Sequence, residues 1–252
     1  MNNEFTAIYF MWKREIIRFI RSKSRVIGSL GMPFFFLAIV GSGLGGALNL
    51  PGVEGGYMDF VAPGIIAMVI LFGSIFSGVI VIMDRQFGFL KETMIAPVKR
   101  TSIVIGKALG GGTTAVIQGI IMLLIAMLLG VQINFANIIL ALIFMFVVSV
   151  SFVSLGIAIA STMEDIHGFQ LVVNFIIMPI FFLSGAIFPL DTAPDVIRYL
   201  SYVDPLTYVV DVLRYLLIGY SAIPLETSIA VVLVFLAATT SVAVYLFNRI
   251  ES

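Results

Sequence analysis

The sequence predicts an all-α protein that crosses a membrane with six helices, and three observations carry this prediction. Of its 252 residues, 60% are hydrophobic and only 11% are charged, against about 25% charged residues in an ordinary soluble domain. Six stretches contain no Asp, Glu, Lys, Arg or His, and each is long enough for a helix to cross the hydrocarbon core. These apolar runs are continuous, whereas the strands of a membrane β-barrel alternate in polarity.

Composition also excludes several classes of protein. Basic and acidic residues are equal in number, fourteen of each, which disfavours a nucleic-acid-binding protein. The sequence has no Cys, which excludes disulfides and thiol chemistry, and its one His disfavours a His-ligated metal site. No glycine-rich loop ends in Gly-Lys-Ser or Gly-Lys-Thr, so we do not expect this chain to bind ATP by such a loop. We also expect it to bind no metal and no other cofactor.

We expect a single domain over residues 1–252 that begins with an amphipathic helix over residues 1–25. Apolar side chains fall at helical spacing on one face of this segment and arginines on the opposite face, as in helices that lie in the membrane interface. The alternative is a basic anchor that only fixes the orientation of the chain. The six spans predicted after it are 26–48, 60–83, 108–130, 138–162, 169–190 and 228–247.

The basic residues predict the orientation of the chain in the membrane. Six spans place the segments before the first span, between the second and third, and after the last on one side. These segments hold twelve of the fourteen Lys and Arg residues, and the opposite side holds only Arg198 and Arg214. Because basic loops remain in the cytoplasm, we expect a multi-pass protein of the plasma (inner) membrane with both termini cytoplasmic.

Residues 84–107 form the long cytoplasmic loop of this topology. Apolar residues at helical spacing predict a short helix from residue 84 to Pro97, where the proline ends it. Such an amphipathic helix, parallel to the membrane and set between two spans, would dock in a groove of a soluble partner. The alternative is a solvated basic loop that only fixes the topology.

Residues 191–227 lie on the outer side in this topology, yet they are not hydrophilic. Two apolar stripes, each too short to span, are separated by Pro205, which breaks a helix. Irregular backbone at membrane depth must be covered by protein or line a cavity. We therefore expect a re-entrant helical hairpin that packs against the bundle and shapes an outer gate.

Polar groups inside the predicted spans are few and uncharged. Gln118, Ser151 and Asn174 are either partners in hydrogen bonds between helices or contacts along a substrate path. No span contains a carboxylate, whereas ion-coupled transporters usually carry one within the membrane, so the sequence favours a transporter whose energy arrives from outside the membrane. Gly106-xxx-Gly110 also permits two helices to approach closely.

Two motifs resemble those of ABC type 2 exporter permeases. Arg85-Gln-Phe-Gly88…Lys91-Glu92…Ala96-Pro97…Arg100 resembles the family's cytoplasmic coupling helix, which follows the second span. Pro179-Ile-Phe-Phe-Leu-Ser184-Gly185-Ala-Ile-Phe-Pro189 resembles its P-x-x-x-LSG-x-x-FP run at the end of the fifth span, and Asp204-Pro205 and Leu213-Arg214 follow in the expected order. The LSG-x-x-FP form is typical of the drug-resistance and nodulation-factor branch.

The resemblance covers the whole chain and implies a permease that lies among membrane lipids, forms a homodimer and pairs with two copies of a soluble ABC ATPase. ATP and Mg²⁺ would bind to that partner, so this chain is expected to be a transporter subunit and not an enzyme. The implied coupling residues are Arg85, Gly88, Lys91, Glu92, Pro97 and Arg100, and the implied outer-gate residues are Pro179, Ser184, Gly185, Pro189, Pro205 and Arg214.

The expected function is export of an apolar or amphipathic substrate, such as a drug, a lipid or a glycolipid, driven by ATP that the partner hydrolyses. The alternative is a secondary carrier or a channel that no ATPase drives. The loop at residues 84–107 discriminates between the two, because a carrier or channel does not need a docking helix there.

Overall fold

The computed structural model describes residues 3–45, 56–95 and 97–250, and these residues form an all-α structure without a β-strand. The predicted all-α class is therefore confirmed, whereas the interfacial position of the N-terminal helix and the re-entrant hairpin stay predictions. In chain order, the helices of the described ranges are α1 (Asn3–Arg21), α2 (Lys23–Phe35), α3 (Gly56–Gln86), α4 (Phe89–Ile95), α5 (Arg100–Leu128), α6 (Ile138–Ser161), α7 (Ile166–Leu183), α8 (Asp195–Ser201), α9 (Pro205–Ile218) and α10 (Leu225–Asn248).

Three of these helices are irregular. α2 continues through a π-helical turn, Phe36–Gly41, into Ser42–Gly45. α3 is interrupted at Gly78, and α7 contains a second π-helical turn, Val173–Ile177. Such breaks bend a helix because they interrupt its regular hydrogen bonds. The breaks in α3 and α7 both border one cavity between the helices, which is lined in part by residues on either side of each break.

Five helices of the described part are long and apolar enough to cross a membrane, namely α3, α5, α6, α7 and α10. Glu4–Arg21 and Val26–Gly41, which are bent by 69° relative to each other, pass the same test as a pair and would make a sixth span. The chain is therefore a multi-pass membrane protein with five or six spans. Residues 46–48, the end of the predicted first span, lie outside the described residues.

The fifth span ends earlier than the sequence predicts. The prediction extends it to residue 190, but α7 ends at Leu183. The Ser184 hydroxyl donates to the Phe181 carbonyl and accepts from the Ala186 N–H, while Gly185 has a φ of 70°. A residue in the left-handed region ends a helix, and glycine adopts that region without steric cost. Residues 184–189 therefore form a turn that folds back toward the bundle.

α3 lies at the centre of the bundle, where it packs against α5, α6 and α9. Its side chains Val61, Ile65 and Leu71 are fully buried. A Cβ atom added at Gly78 would lie 2.3 Å from the carbonyl oxygen of Gly156, so α3 and α6 cross with their backbones in contact. Movement of α3 would therefore be transmitted directly to α6.

α1 packs along the first half of α5. A Cβ atom added at Gly106 or Gly110 would lie only 2.6 or 2.7 Å from an atom of α1. The indole N–H of Trp12 donates to the Thr113 hydroxyl at 3.0 Å. The close approach predicted for these two glycines is therefore present, and α5 covers part of the apolar face that the sequence assigns to the membrane interface.

Candidate functional site

The connection between α3 and α5 carries α4, a helix of seven residues. The sequence predicts one continuous helix from residue 84 to Pro97, which is wrong, because the structure interrupts it at Phe87 and Gly88. Gly88 has a φ of 80°, a conformation that ends α3 and that other residues adopt only with strain. α4 therefore meets α3 at a turn and does not extend it.

α4 presents apolar side chains on its surface. Leu90 is buried and anchors the helix, whereas Phe89 and Ile95 are 51% and 83% exposed, and Phe87 before the helix is 69% exposed. Glu92 is exposed on the same short helix. An apolar surface with a charged neighbour is typical of a site that another protein covers.

Five of the six predicted coupling residues lie in or beside α4. Gly88 precedes the helix, Lys91 and Glu92 belong to it, and Pro97 follows it and is exposed. Arg85 lies one turn earlier, half-buried in the last turn of α3. The structure thus brings these residues together on one short segment, and their contact with a partner stays a prediction.

Arg100, the sixth predicted coupling residue, is bound within the chain. Its Nη1 atom donates to the carbonyl oxygen of Asn248 at 2.8 Å and to that of Ile250 at 3.0 Å. A basic side chain placed in this way satisfies carbonyl groups left free at the end of a helix. Arg100 therefore ties the start of α5 to the end of α10.

A carboxylate from α1 caps the beginning of α5. Glu4 accepts from the backbone N–H of Lys99 at 3.1 Å and from the hydroxyl of Ser102. The first N–H groups of a helix have no partner within the helix and favour negative charge. We call residues 85–98, which lie between Asp84 and Lys99 and include α4, the α4 segment. The Glu4 contact holds the N-terminal part of α1 at the point where this segment ends.

A buried charge cluster, made of Arg14, Glu15, Arg18, Asp84 and Lys107, joins α1, α3 and α5. One oxygen of Asp84 accepts from Arg14 at 2.6 Å and from Arg18 at 3.2 Å, and the other accepts from Lys107 at 2.5 Å. A Glu15 oxygen lies 3.9 Å from both Lys107 and Arg18. Glu15, Asp84 and Lys107 are only 6%, 3% and 4% exposed, and charges buried this deeply must be paired.

The charge cluster and the Glu4 contact place α1 across both ends of the α4 segment. The cluster holds the residue before the segment, Asp84, and Glu4 holds the residues after it. From the sequence, Asp84 and Lys107 are predicted only to limit the cytoplasmic loop and the helix at its start, and no role is predicted for Glu15. The sequence does contain a signal for this cluster. Glu15 is the one acid among six basic residues between 13 and 25, and an acid in a strongly basic segment indicates a specific ion pair.

A cavity of about 540 Å³ lies between α1, α2, α3, α5 and α7. Its wall is mainly apolar, and Gln118 and Asn174 contribute amide groups to it. Gln118 donates to the Ser29 hydroxyl at 2.8 Å. Ser151, the third residue predicted on a substrate path, does not line this cavity. It is fully buried, and its hydroxyl donates to the Val147 carbonyl inside α6. The structure therefore separates Ser151 from the other two.

Four of the predicted outer-gate residues meet at one place. Arg214 donates to the carbonyl oxygens of Phe60 at 3.2 Å and Gly185 at 3.0 Å, and its guanidinium lies 3.7 Å from the centre of the Phe60 ring. Ser184, Gly185, Pro189 and Arg214 line the same small cavity. Arg214 thereby fixes the turn after α7 against the beginning of α3.

The other two predicted gate residues, Pro179 and Pro205, lie elsewhere. Pro179 is exposed in the last part of α7, and Pro205 is the first residue of α9. Asp204 caps α9 by accepting from the Leu206 N–H at 2.8 Å, and burial raises the pKa of this carboxyl to about 7. Neither proline takes part in the Arg214 contacts described above.

Replacing Arg214 with Met is expected to destabilise the protein by about 3 kcal/mol. The substitution removes two hydrogen bonds and leaves two carbonyl oxygens without that partner, and hydrogen bonds from charged groups contribute about 1.5–3 kcal/mol each, less the desolvation of the charge. Thermal unfolding in detergent measures the effect, and Arg214→Lys is expected to retain part of the stability. Equal midpoints for Arg214→Met and the unaltered protein would contradict this role.

A multi-pass helical protein with an exposed helix between two spans has the architecture of a membrane transport permease. The expectation that no span contains a carboxylate does not hold for α3, which extends beyond its predicted span at both ends and includes the buried Asp59 and Asp84. The chain belongs to the ABC-2 type transporter family, whose sequence profile matches residues 6–218. The family predicted from the two sequence motifs is thereby confirmed. Membership implies a partner ABC ATPase.

Relatives carry names that agree with this assignment. The chain is 26% identical over 247 residues to the inner membrane transport permease YadH of Escherichia coli strain K12. This match covers 94% of this chain and 93% of YadH. It is 24% identical over 244 residues, or 95% of this chain and 92% of the other, to nodulation protein J of Rhizobium leguminosarum bv. trifolii. It is 29% identical over 213 residues to a protein of Cyanophora paradoxa named as the transport permease ycf38. This match covers 83% of this chain and 73% of that protein.

Proposed function

We propose that this chain is the permease subunit of an ATP-driven exporter, in which a homodimer binds two copies of a separate ABC ATPase. The observation that carries this proposal is α4. It exposes Phe89 and Ile95, lies between two spans, and is held at both ends by α1. ATP and Mg²⁺ bind to the partner, and this chain supplies the path and converts the movement of the partner into movement of its helices.

Charge and length support the placement in the membrane that we propose. The α4 segment and both termini lie in the cytoplasm, because twelve of the fourteen basic residues fall on that side of a six-span topology. α1 lies in the inner interface of the plasma (inner) membrane. α9 has 14 residues and is about 21 Å long, too short to span. It and α8 form a re-entrant pair on the outer side, where Arg214 holds the gate.

The substrate is apolar or amphipathic, such as a drug, a lipid or a glycolipid. The support is the 540 Å³ cavity, whose mainly apolar wall suits a hydrocarbon surface. The amides of Gln118 and Asn174 offer donors and acceptors for a few polar groups of the substrate. We place the substrate path along this cavity, and Ser151 is not part of it.

Replacing Ile95 with Asp is expected to weaken binding of the ATPase by about 3 kcal/mol, or roughly 150-fold in affinity, because a carboxylate would be desolvated without a partner. Val203→Asp is the matched control, since Val203 is equally exposed, 83% for both side chains, and lies on the proposed outer side. Co-purification with the ATPase and ATP-dependent export in proteoliposomes are the measurements.

The same experiment separates the proposal from its alternative. An exporter loses both complex formation and transport in Ile95→Asp and keeps both in Val203→Asp. A secondary carrier or a channel transports substrate without any ATPase, and its activity does not respond to Ile95→Asp. Full transport by the Ile95 variant, or transport without ATP, would therefore reject the proposed function.

A further inference from the structure

A groove of about 770 Å³ runs along α1 and ends where α1 meets α2. Four basic side chains line it, those of Lys13, Arg14, Arg18 and Arg21. At helical spacing these residues lie away from the face that packs on α5. We call this surface the basic groove.

Two of these arginines are held side by side by a buried carboxylate. The same oxygen of Asp84 accepts from Arg14 at 2.6 Å and from Arg18 at 3.2 Å. Both side chains keep about a third of their surface exposed, 30% and 32%. A guanidinium has five N–H donors, so each arginine retains donors for a ligand, and Asp84 removes much of the entropy cost of ordering them.

The basic groove also contains apolar surface. Phe10 and Ile17 are exposed within it, between the basic side chains. The adjoining flank of α1 exposes Phe5, Tyr9 and Ile20. A small soluble anion needs only the charges, whereas a molecule with an anionic head and hydrocarbon chains contacts both kinds of surface.

The bend between α1 and α2 adds a further anion-binding feature. Ser22 and Ser24 line the basic groove at this bend. Ser22 is the N-cap residue of α2, a helix of 13 residues, and makes no side-chain capping hydrogen bond. An N-terminus without such a cap favours a phosphate, because its N–H groups and its dipole attract negative charge.

We propose that the basic groove binds one anionic phospholipid of the inner leaflet. Its phosphate contacts Arg14, Arg18 and Arg21 beside the start of α2, and its acyl chains lie along Phe10 and Ile17. This proposal rests on the proposed position of α1 at the membrane surface. The bound lipid offsets the excess of positive charge around Asp84 and so holds α1 in place across the ends of the α4 segment.

The experiment uses the full chain with its ATPase, purified in detergent after equilibration with phosphatidylglycerol or phosphatidylcholine, and native mass spectrometry counts the retained lipids. The test variant is Lys13→Gln with Arg21→Gln, because neither residue belongs to the charge cluster. The control is Lys99→Gln with Arg249→Gln, which removes one Lys and one Arg from exposed positions on the same predicted side. The fluorescence of Trp12, the one tryptophan of the sequence, is recorded on the full chain before the ATPase is added and reports whether α1 still packs on α5.

We expect phosphatidylglycerol retention to fall about tenfold or more in the test variant, since each basic residue near the surface contributes to anionic-lipid binding. Retention in the control should stay at the level of the unaltered protein, and phosphatidylcholine should be retained by none of the three. Trp12 fluorescence should not change in either variant, and the amount of bound ATPase should not change in the test variant. Intact ATPase binding distinguishes a failure of this proposal from a failure of the proposed function.

Three results would overturn the lipid site. The first is equal phosphatidylglycerol retention in the test and control variants, which would indicate only general surface attraction. The second is displacement of the lipid by inorganic phosphate, which would make the basic groove a site for a small anion. The third is loss of the ATPase from the test variant with lipid retention unchanged, which would make the groove a protein-docking surface.

Discussion

Replacing Asp84 with Ala is expected to destabilise the protein by about 3–5 kcal/mol, the largest effect of a single charge that we expect outside the packed core. The substitution leaves Lys107 buried, with Glu15 as its remaining acidic neighbour at 3.9 Å, and it also frees Arg14 and Arg18. In a chain of this length such a loss lowers the unfolding midpoint on the order of 10 °C. Scanning fluorimetry in detergent measures that shift.

A matched control separates burial from the ion pair itself. Asp195 pairs with Arg198 at 2.6 Å, as Asp84 pairs with Arg14, but the Asp195 side chain is 74% exposed. Exposed pairs contribute about 0–1 kcal/mol, so Asp195→Ala should leave the midpoint almost unchanged. Asp84→Leu combined with Lys107→Met should be more stable than Asp84→Ala, because it leaves no unpaired charge at the centre of the cluster. Equal midpoints for Asp84→Ala and Asp195→Ala would show that the cluster does not stabilise the fold.

The long apolar helices could be predicted because each follows from a local property of its own residues. The run 138–162, for example, has no charge and no proline, and α6 spans almost the same residues, Ile138–Ser161. The end of the fifth span was predicted seven residues too late because hydropathy does not register the left-handed turn at Gly185. The interruption at Gly88 was missed for the same reason, since one glycine with positive φ ends a helix without changing its polarity.

The contacts between distant segments could not be predicted in this way. The approach of α1 to α5 was indicated by Gly106-xxx-Gly110, although the motif does not name its partner. The pairing of Arg14 and Arg18 with Asp84 joins residues 70 and 66 positions apart, and no periodicity in the sequence reports such a pair. Arg100 was assigned to the partner ATPase because its family motif includes it, whereas its guanidinium in fact binds the end of α10.

Replacing Gly88 with Trp is expected to disrupt communication between the ATPase and this chain. Substrate-stimulated ATPase activity and export should each fall at least about tenfold, which corresponds to about 1.4 kcal/mol. Gly88 lies between α3 and α4, and among the residues that the structure describes, apart from its two chain neighbours, no heavy atom lies within 4 Å of a Cβ built on it. The indole ring would therefore extend away from this chain, toward the surface that the ATPase is proposed to cover. Both activities are measured with the complex reconstituted in proteoliposomes.

Gly88→Ala provides the control for backbone strain. Its φ of 80° costs a residue with a side chain about 1–3 kcal/mol whether that side chain is a methyl group or an indole. Any loss shared by the two variants is therefore strain, and the additional loss in Gly88→Trp reports contact with the partner. Glu92→Ala should cause only a few-fold loss, because an exposed ion pair contributes about 0–1 kcal/mol. If Gly88→Trp and Gly88→Ala have the same activities, the turn before α4 does not touch the ATPase, and the α4 segment only fixes the topology of the chain.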